Sequence, residues 1–262
     1  MTSVVCLHSS ASTPRQWRAL AEEFGGHRRC LAPALIGYGP DSWPGRTFTD
    51  HCLNAEVDAV LEAIQGQSDP IDLVGHSYGG AVALEVARRI PGRIASLTVY
   101  EPVAFSLLFS NNARRGPALE AWSVARTVTD HVTAREDERA AEVFVDYWSG
   151  QGAWQSVPAR NKARIAGQMT KVAAEFKAIF GSGRRPEHYA AVTCPTLIIR
   201  GSASPEPARV AAEQLRAVIP NSELMTLPGL GHMAPVTHAE RVNIHILGHI
   251  ERWQHPALRD AA

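Results

Sequence analysis

The sequence is short of several things, and each shortage removes a class of reading. Neither charge is in excess: lysine plus arginine number 26 and aspartate plus glutamate number 26. There is thus no basic surplus to hold nucleic acid or an anionic membrane. Cysteine is scarce, with four residues in 262, at positions 6, 30, 52 and 194. None is in Cys-x-x-Cys spacing, and Cys6 and Cys194, in or beside expected strands, read as buried free thiols. No apolar run approaches the roughly 18 residues that a membrane span needs. An apolar run begins within a few residues of Met1, leaving no room for a signal peptide, so a cytoplasmic protein without nucleic-acid or membrane partners is expected. Internal repeats and low-complexity stretches are also missing.

What is there centres on Ile71-Asp72-Leu73-Val74-Gly75-His76-Ser77-Tyr78-Gly79-Gly80, followed by Ala81-Val82-Ala83-Leu84-Glu85-Val86-Ala87. A short apolar run with β-branched members reads as a buried strand, and small and apolar residues at helical spacing then read as a closely packed helix. Between them lies Gly75-x-Ser77-x-Gly79, the pattern of a sharp strand-to-helix turn that exposes a serine hydroxyl at the carboxyl edge of a sheet. Glycine suits 75 and 79 because the chain folds back too tightly for a Cβ. The helix start also aims free N–H groups and a positive dipole end at charge developing beside Ser77.

Around this unit, strands and helices alternate. Strands are expected at Val4–Leu7, Arg29–Ala32, Ala95–Tyr100, Pro195–Arg200 and Glu223–Thr226. Helices are expected at Trp17–Phe24, at Thr49–Ile64 with Thr49 or Asp50 as N-cap, at Pro207–Val218 and at Thr237–Trp253. From Val103 to about Tyr189 the alternation stops. Helical patterns at Pro117–Val132, Arg135–Trp148 and Pro158–Phe180 replace it. Strands alternating with helices imply an α/β protein with a mainly parallel sheet covered on both faces.

The chain resembles the α/β-hydrolase superfamily over most of its length, through His8-Ser9-Ser10 after the first strand, the turn at Ser77, and Gly231-His232-Met233-Ala234-Pro235 near the end. The resemblance implies an α/β-hydrolase fold with about six strands, lacking the family's usual leading β-hairpin. Its core would be residues 1–103 and 190–262, with a helical cap inserted at 104–189. It further implies Ser77 as nucleophile and His232, in a loop rich in glycine and proline, as general base and then acid. The amides of Ser10 and Tyr78 would form the oxyanion hole, with Ser9 standing where the family usually has glycine. His76 is expected to pack under the turn. His245 and His249, at i and i+4 with no third ligand in sight, read as a solvated face, so no metal is expected.

The acid is where the sequence departs from the family. The usual Gly-x-x-Asp turn is here Gly201-Ser202-Ala203-Ser204, and serine cannot stabilise an imidazolium as a carboxylate does. Two carboxylates remain open. Glu101, before Pro102 at the end of the strand after the turn's helix, sits where some α/β-hydrolases place their acid, and is preferred. Glu206, between Pro205 and Pro207, is the alternative.

The insertion carries Trp122, Phe144, Tyr147, Trp148, Trp154, Phe176 and Phe180. Aromatics at this spacing mostly pack, but a lid must turn an apolar face inward, and Phe105, Leu108 and Trp148, with Ser9, are candidates to contact substrate. Arg114, Arg115, Arg184 and Arg185 are either carboxylate contacts or solvated hinge charges. Together these features point to a serine hydrolase, without cofactor, that cleaves an ester-like bond of a small to medium, mostly apolar molecule. The alternatives are a carbon–carbon bond hydrolase, a cofactor-free haloperoxidase-like enzyme, or a ligand-binding receptor on the same scaffold. Serine at position 77 counts against haloalkane dehalogenase or epoxide hydrolase chemistry, which needs a carboxylate nucleophile. The chain is expected to be a monomer or a homodimer.

Overall fold

Strand alternation sets the architecture of the computed structural model, which describes residues 3–39, 51–67, 70–110 and 115–254. Six strands form one sheet: β1 (Ser3–Leu7), β2 (Arg29–Leu31), β3 (Ile71–His76), β4 (Ile94–Tyr100), β5 (Thr196–Gly201) and β6 (Ser222–Leu227). Their order is β2-β1-β3-β4-β5-β6, and every pairing is parallel. Successive side chains on a strand point to opposite faces. Val5, Leu7, Leu73, Leu97, Val99 and Ile198 therefore enter one core. Val4, Cys6, Val74, Tyr100, Leu197 and Ile199 enter the other.

Helices cover both faces. One core takes α2 (Leu53–Ala63), α3 (Tyr78–Arg89) and α9 (Glu206–Val218), and the other takes α1 (Arg18–Glu23) and α11 (Ala239–Gln254). Each fully buried aliphatic side chain in these layers contributes about 1.5–3 kcal/mol. The edge strands are less covered: the residues of β2 are exposed or half-buried, and so are the middle four of β6.

Between β4 and β5 come the helices α4 (Arg115–Thr133), α5 (Asp137–Ser149), α6 (Ala159–Ala166), α7 (Met169–Phe180) and α8 (Pro186–Ala190). They bury a small cluster of their own, with Val128, Val132, Trp154, Met169, Val172 and Phe176 among its members. The insertion is tied to helices α3 and α2 by Arg184, whose Nε lies 2.6 Å from Glu85 and whose guanidinium also donates to Asn54 at 3.0 Å. Arg184 is thus a buried strut and not a solvated charge. Arg185 is exposed beside Glu187, and Arg114 lies outside the described residues.

Several boundaries differ from the sequence reading for local reasons. The expected helix at 158–180 is two, broken at Gly167-Gln168, because glycine is a weak helix former. The last helix is split at His238, leaving a short α10 (Ala234–Thr237) before α11. Thr49 and Asp50 lie outside the described residues; the described part of α2 starts after Cys52, whose sulfur accepts from the Ala55 amide at 3.4 Å. His249 is buried and His245 half-buried, which corrects the solvated-face reading. The reason is that α11 packs on the sheet through Val242, Ile246 and Ile250, and residue 249 shares that face. All four cysteines are free thiols, with the sulfurs of Cys6 and Cys30 3.9 Å apart.

Candidate active site

Ser77 stands between the end of β3 and the start of α3 with φ 56° and ψ −117°. That backbone is costly for a residue with a Cβ and persists only where its surroundings hold it. They do: the Ser77 amide donates to the Tyr100 carbonyl at 3.0 Å, and its carbonyl accepts from Ala81 at 3.0 Å and Val103 at 3.3 Å. The flanking glycines are required by contact. A Cβ on Gly75 would meet the Gly79 carbonyl oxygen at 2.6 Å, and one on Gly79 would run into the carbonyls of Leu7 and His8.

His232 arrives on the loop between β6 and α10. Its Nε2 is 3.0 Å from the Ser77 hydroxyl and its Nδ1 is 2.7 Å from Glu101 Oε2. The carboxylate can only accept, so Nδ1 carries the proton and Nε2 is free to accept from Ser77. The loop is positioned by the Tyr100 hydroxyl, which donates to the Gly231 carbonyl at 2.8 Å. Beneath it His76 is fully buried, its Nε2 donating to the His232 carbonyl at 2.9 Å and its Nδ1 accepting from Gln16 at 3.1 Å. Burial, reinforced by the nearby imidazole of His232, pushes the His76 pKa well down, so it stays neutral.

Glu101 is buried with φ 42°. Besides His232 it accepts from the Gly201 amide at 2.6 Å and from the Ser204 hydroxyl. Ser204 thus occupies the expected aspartate position and supports the carboxylate that comes from the neighbouring strand. Glu206 is exposed in the first turn of α9 and takes no part.

The loop after β1 carries Ser9 and Ser10 to the other side of Ser77. His8 anchors it, with Nδ1 donating to the Ser9 carbonyl at 2.8 Å and Nε2 accepting from the Leu35 amide at 3.2 Å. Burial lowers the His8 pKa to about 4. Gln16 takes the Ser9 amide at 3.2 Å, which leaves Ser10 as the loop residue lining both hollows beside Ser77. Tyr78 is the first residue of α3, so its amide has no partner within the helix.

Two hollows meet at Ser77. The larger, about 460 Å³, is lined by Ser77, Ser9, Ser10 and His232 with Phe144, Trp148, Ile165 and Met233. Trp148 stacks on the His232 ring with centroids 3.9 Å apart. Phe105 and Leu108, expected to line the pocket, are fully buried instead. Phe105 stacks behind Trp148 at 6.3 Å, because the chain after Glu101 turns into the sheet's core layer before the insertion begins. The smaller hollow, about 10 Å³, is bounded by Ser77, Ser10, Trp148 and a residue that sequence reasoning missed, Glu175 of α7.

Glu175 belongs to a buried polar cluster. Lys171 Nζ is 3.4 Å from Glu175 and 2.8 Å from Glu56 of α2. Glu56 also accepts from the Tyr78 hydroxyl at 3.3 Å and from the Ile36 amide at 2.6 Å. His51 Nε2 lies 2.8 Å from the Tyr78 hydroxyl and 3.1 Å from Lys171. A signal for it existed: Lys171 and Glu175 fall on the same helical stripe as buried Ile179. No group of metal-binding side chains is found among the described residues, and no described helix is long and apolar enough to cross a membrane.

The chain is 27% identical over 251 residues to a pimeloyl-[acyl-carrier protein] methyl ester esterase from Aromatoleum aromaticum, covering 90% of this chain and 93% of that one. A haloalkane dehalogenase from Agrobacterium fabrum is 35% identical over 100 residues, so the chain spans about a third of the length of that relative, 32%, and 38% of its own. A thermophilic esterase from Thermogutta terrifontis superposes with a TM-score of 0.72 at 23% identity, covering 97% of this chain and 91% of that one, a likeness of fold alone. The model of the alpha/beta hydrolase family matches residues 4–243. A match of that extent, on a parallel sheet with this strand order, makes the chain a member of the alpha/beta hydrolase family.

Proposed function

We propose that this protein is a serine hydrolase that cleaves an ester-like bond of a small to medium, mostly apolar substrate through an acyl-enzyme. The observation that carries the reading is the unbroken hydrogen-bonded line Ser77–His232–Glu101, with steps of 3.0 and 2.7 Å. Ser77 Oγ attacks the carbonyl carbon while its proton passes to His232 Nε2. The oxyanion that forms is met by the amides of Ser10 and Tyr78, each such donor lowering the barrier by about 2.7–4 kcal/mol. His232 then gives its proton to the departing alcohol oxygen, and the acyl group remains on Ser77. A water, deprotonated by His232, attacks the acyl-enzyme; His232 returns that proton to Ser77 Oγ as the acyl–oxygen bond breaks, releasing the acid and the free serine. Glu101 holds the imidazole in the tautomer this needs and stabilises the imidazolium. The helices of residues 104–189 act as a cap, with Phe144, Trp148 and Ile165 supplying the apolar wall.

The test pairs a fluorophosphonate probe with turnover of p-nitrophenyl acetate. The expected result is prompt labelling at Ser77 and steady ester hydrolysis, both lost in S77A. Absence of labelling and turnover, together with thermal stabilisation by a small ligand, would make the protein a binding module on the same scaffold.

A further inference from the structure

The small hollow beside Ser77 has a feature that the apolar-pocket reading does not use. Glu175 closes one side of it, 1% exposed, and neither carboxylate oxygen completes a hydrogen bond. The nearest cation among the described residues is the Lys171 ammonium at 3.4 Å, itself held at 2.8 Å by Glu56. The hydroxyls of Ser10 and Tyr38 also face it and favour its charged form. A carboxylate has about four acceptor sites, and these neighbours leave room for a further donor; a buried acceptor left unsatisfied costs about 1–3 kcal/mol.

We infer that Glu175 is the specificity-determining residue of a subsite that receives one uncharged hydroxyl on the acyl part of the substrate; this rests on the serine hydrolase reading above. Three features fix the chemistry. At about 10 Å³ the hollow holds about one water-sized group and no extended chain. A cationic substituent would be opposed by Lys171, and an anionic one by Glu175 and Glu56, so a neutral donor fits. The acyl side follows from the position of His232. That imidazole protonates the leaving alcohol and lines the large cavity, whereas the small hollow is bounded by Ser77 and Ser10 without it. The leaving group therefore occupies the large cavity, and the part that stays on Ser77 points toward Glu175. Burial raises the Glu175 pKa to about 7, with Lys171 opposing, so near neutrality the group can accept from a hydroxyl as carboxylate or carboxylic acid.

The experiment compares phenyl glycolate, phenyl propionate and phenyl methoxyacetate. The first two are nearly isosteric, with a hydroxyl in place of a methyl, and the third cannot donate. kcat/KM for each is divided by its rate of hydroxide-catalysed hydrolysis, which removes intrinsic reactivity. The wild-type protein is expected to prefer glycolate over both others by about tenfold or more, the range of a hydrogen bond to an ionised group. E175L should bring that preference to within about threefold of unity, and E175Q, which keeps an acceptor oxygen, should retain most of it. A wild-type ratio equal to the hydroxide ratio, or a preference unchanged in E175L, overturns the inference. If E175L fails to fold, the wild-type ratios decide alone. Fluorophosphonate labelling of Ser77 is run alongside. Labelled protein that turns over all three esters without preference sinks only the Glu175 subsite, whereas unlabelled, inactive protein sinks the serine hydrolase reading itself.

Discussion

Two buried carboxylates flank Ser77, and they are treated in opposite ways. Glu101, from the sheet, has its acceptor sites taken by His232, the Gly201 amide and Ser204. Glu175, from the insertion, has an ammonium at 3.4 Å and no completed hydrogen bond. A carboxylate satisfied on all sides is a fixed acceptor that orients an imidazole. A buried one left short is strained toward its neutral form, and Glu175 is accordingly pushed up to about 7, chiefly by burial. The contrast separates a group built to hold still from one placed to meet something.

The largest effect expected from breaking the comparison is on the sheet side. E101Q keeps the shape but removes the charge that favours the productive imidazole tautomer, and kcat should fall by about 10³–10⁴-fold. Measured ester turnover within about tenfold of wild type would mean that Glu101 only supports the loop. On the insertion side, K171M leaves Glu56 and Glu175 facing each other without a cation. Breaking a buried pair this way costs about 3–5 kcal/mol, read as a lower denaturant midpoint; a loss under about 1 kcal/mol would mean that Lys171 does not hold the two carboxylates together.

Titration sharpens the difference. With Glu175 raised from 4.5 to about 7 in the folded chain, the native state keeps a proton that the unfolded chain releases between those values. Its contribution to stability is therefore complete below about pH 4.5 and is lost as pH rises through 7. The groups facing it are Lys171 on its own helix, Glu56 from α2, Tyr78 from α3, and Ser10 and Tyr38 from the segments after β1 and β2. E175Q removes this loss, so its stability relative to wild type should rise between pH 5 and pH 8 by on the order of 3 kcal/mol. A flat difference across that range would contradict a raised pKa. The smallest effect is expected from S204A, which removes one donor from Glu101 and leaves two; kcat should fall by about tenfold while KM stays unchanged.

Much of this was legible beforehand, and the reasons are specific. The strands at Val4–Leu7 and Ile71–His76 declare themselves because residues buried on both faces read as short apolar runs. The turn at Ser77 is legible because its requirement is local: no Cβ fits at 75 or 79. Phe105 was misassigned because an aromatic near a lid hinge looks the same whether it faces a cavity or supports Trp148 from behind. The cluster around Lys171 was missed because an i,i+4 Lys–Glu pair ordinarily belongs to a solvated helix face. Here that face lies over α2 and α3.

By itself the sequence determined the alternating strands and helices, the parallel sheet that follows from them, and a strained serine at a strand's carboxyl end. Each of these depends on periodicity or on sterics between residues close along the chain. Only the tertiary structure decided that His232 meets Glu101 and not Glu206, and that Glu175 stands over Ser77. Those contacts join side chains distant along the chain, and strand order and helix placement, not local pattern, set the few ångströms on which a hydrogen bond depends.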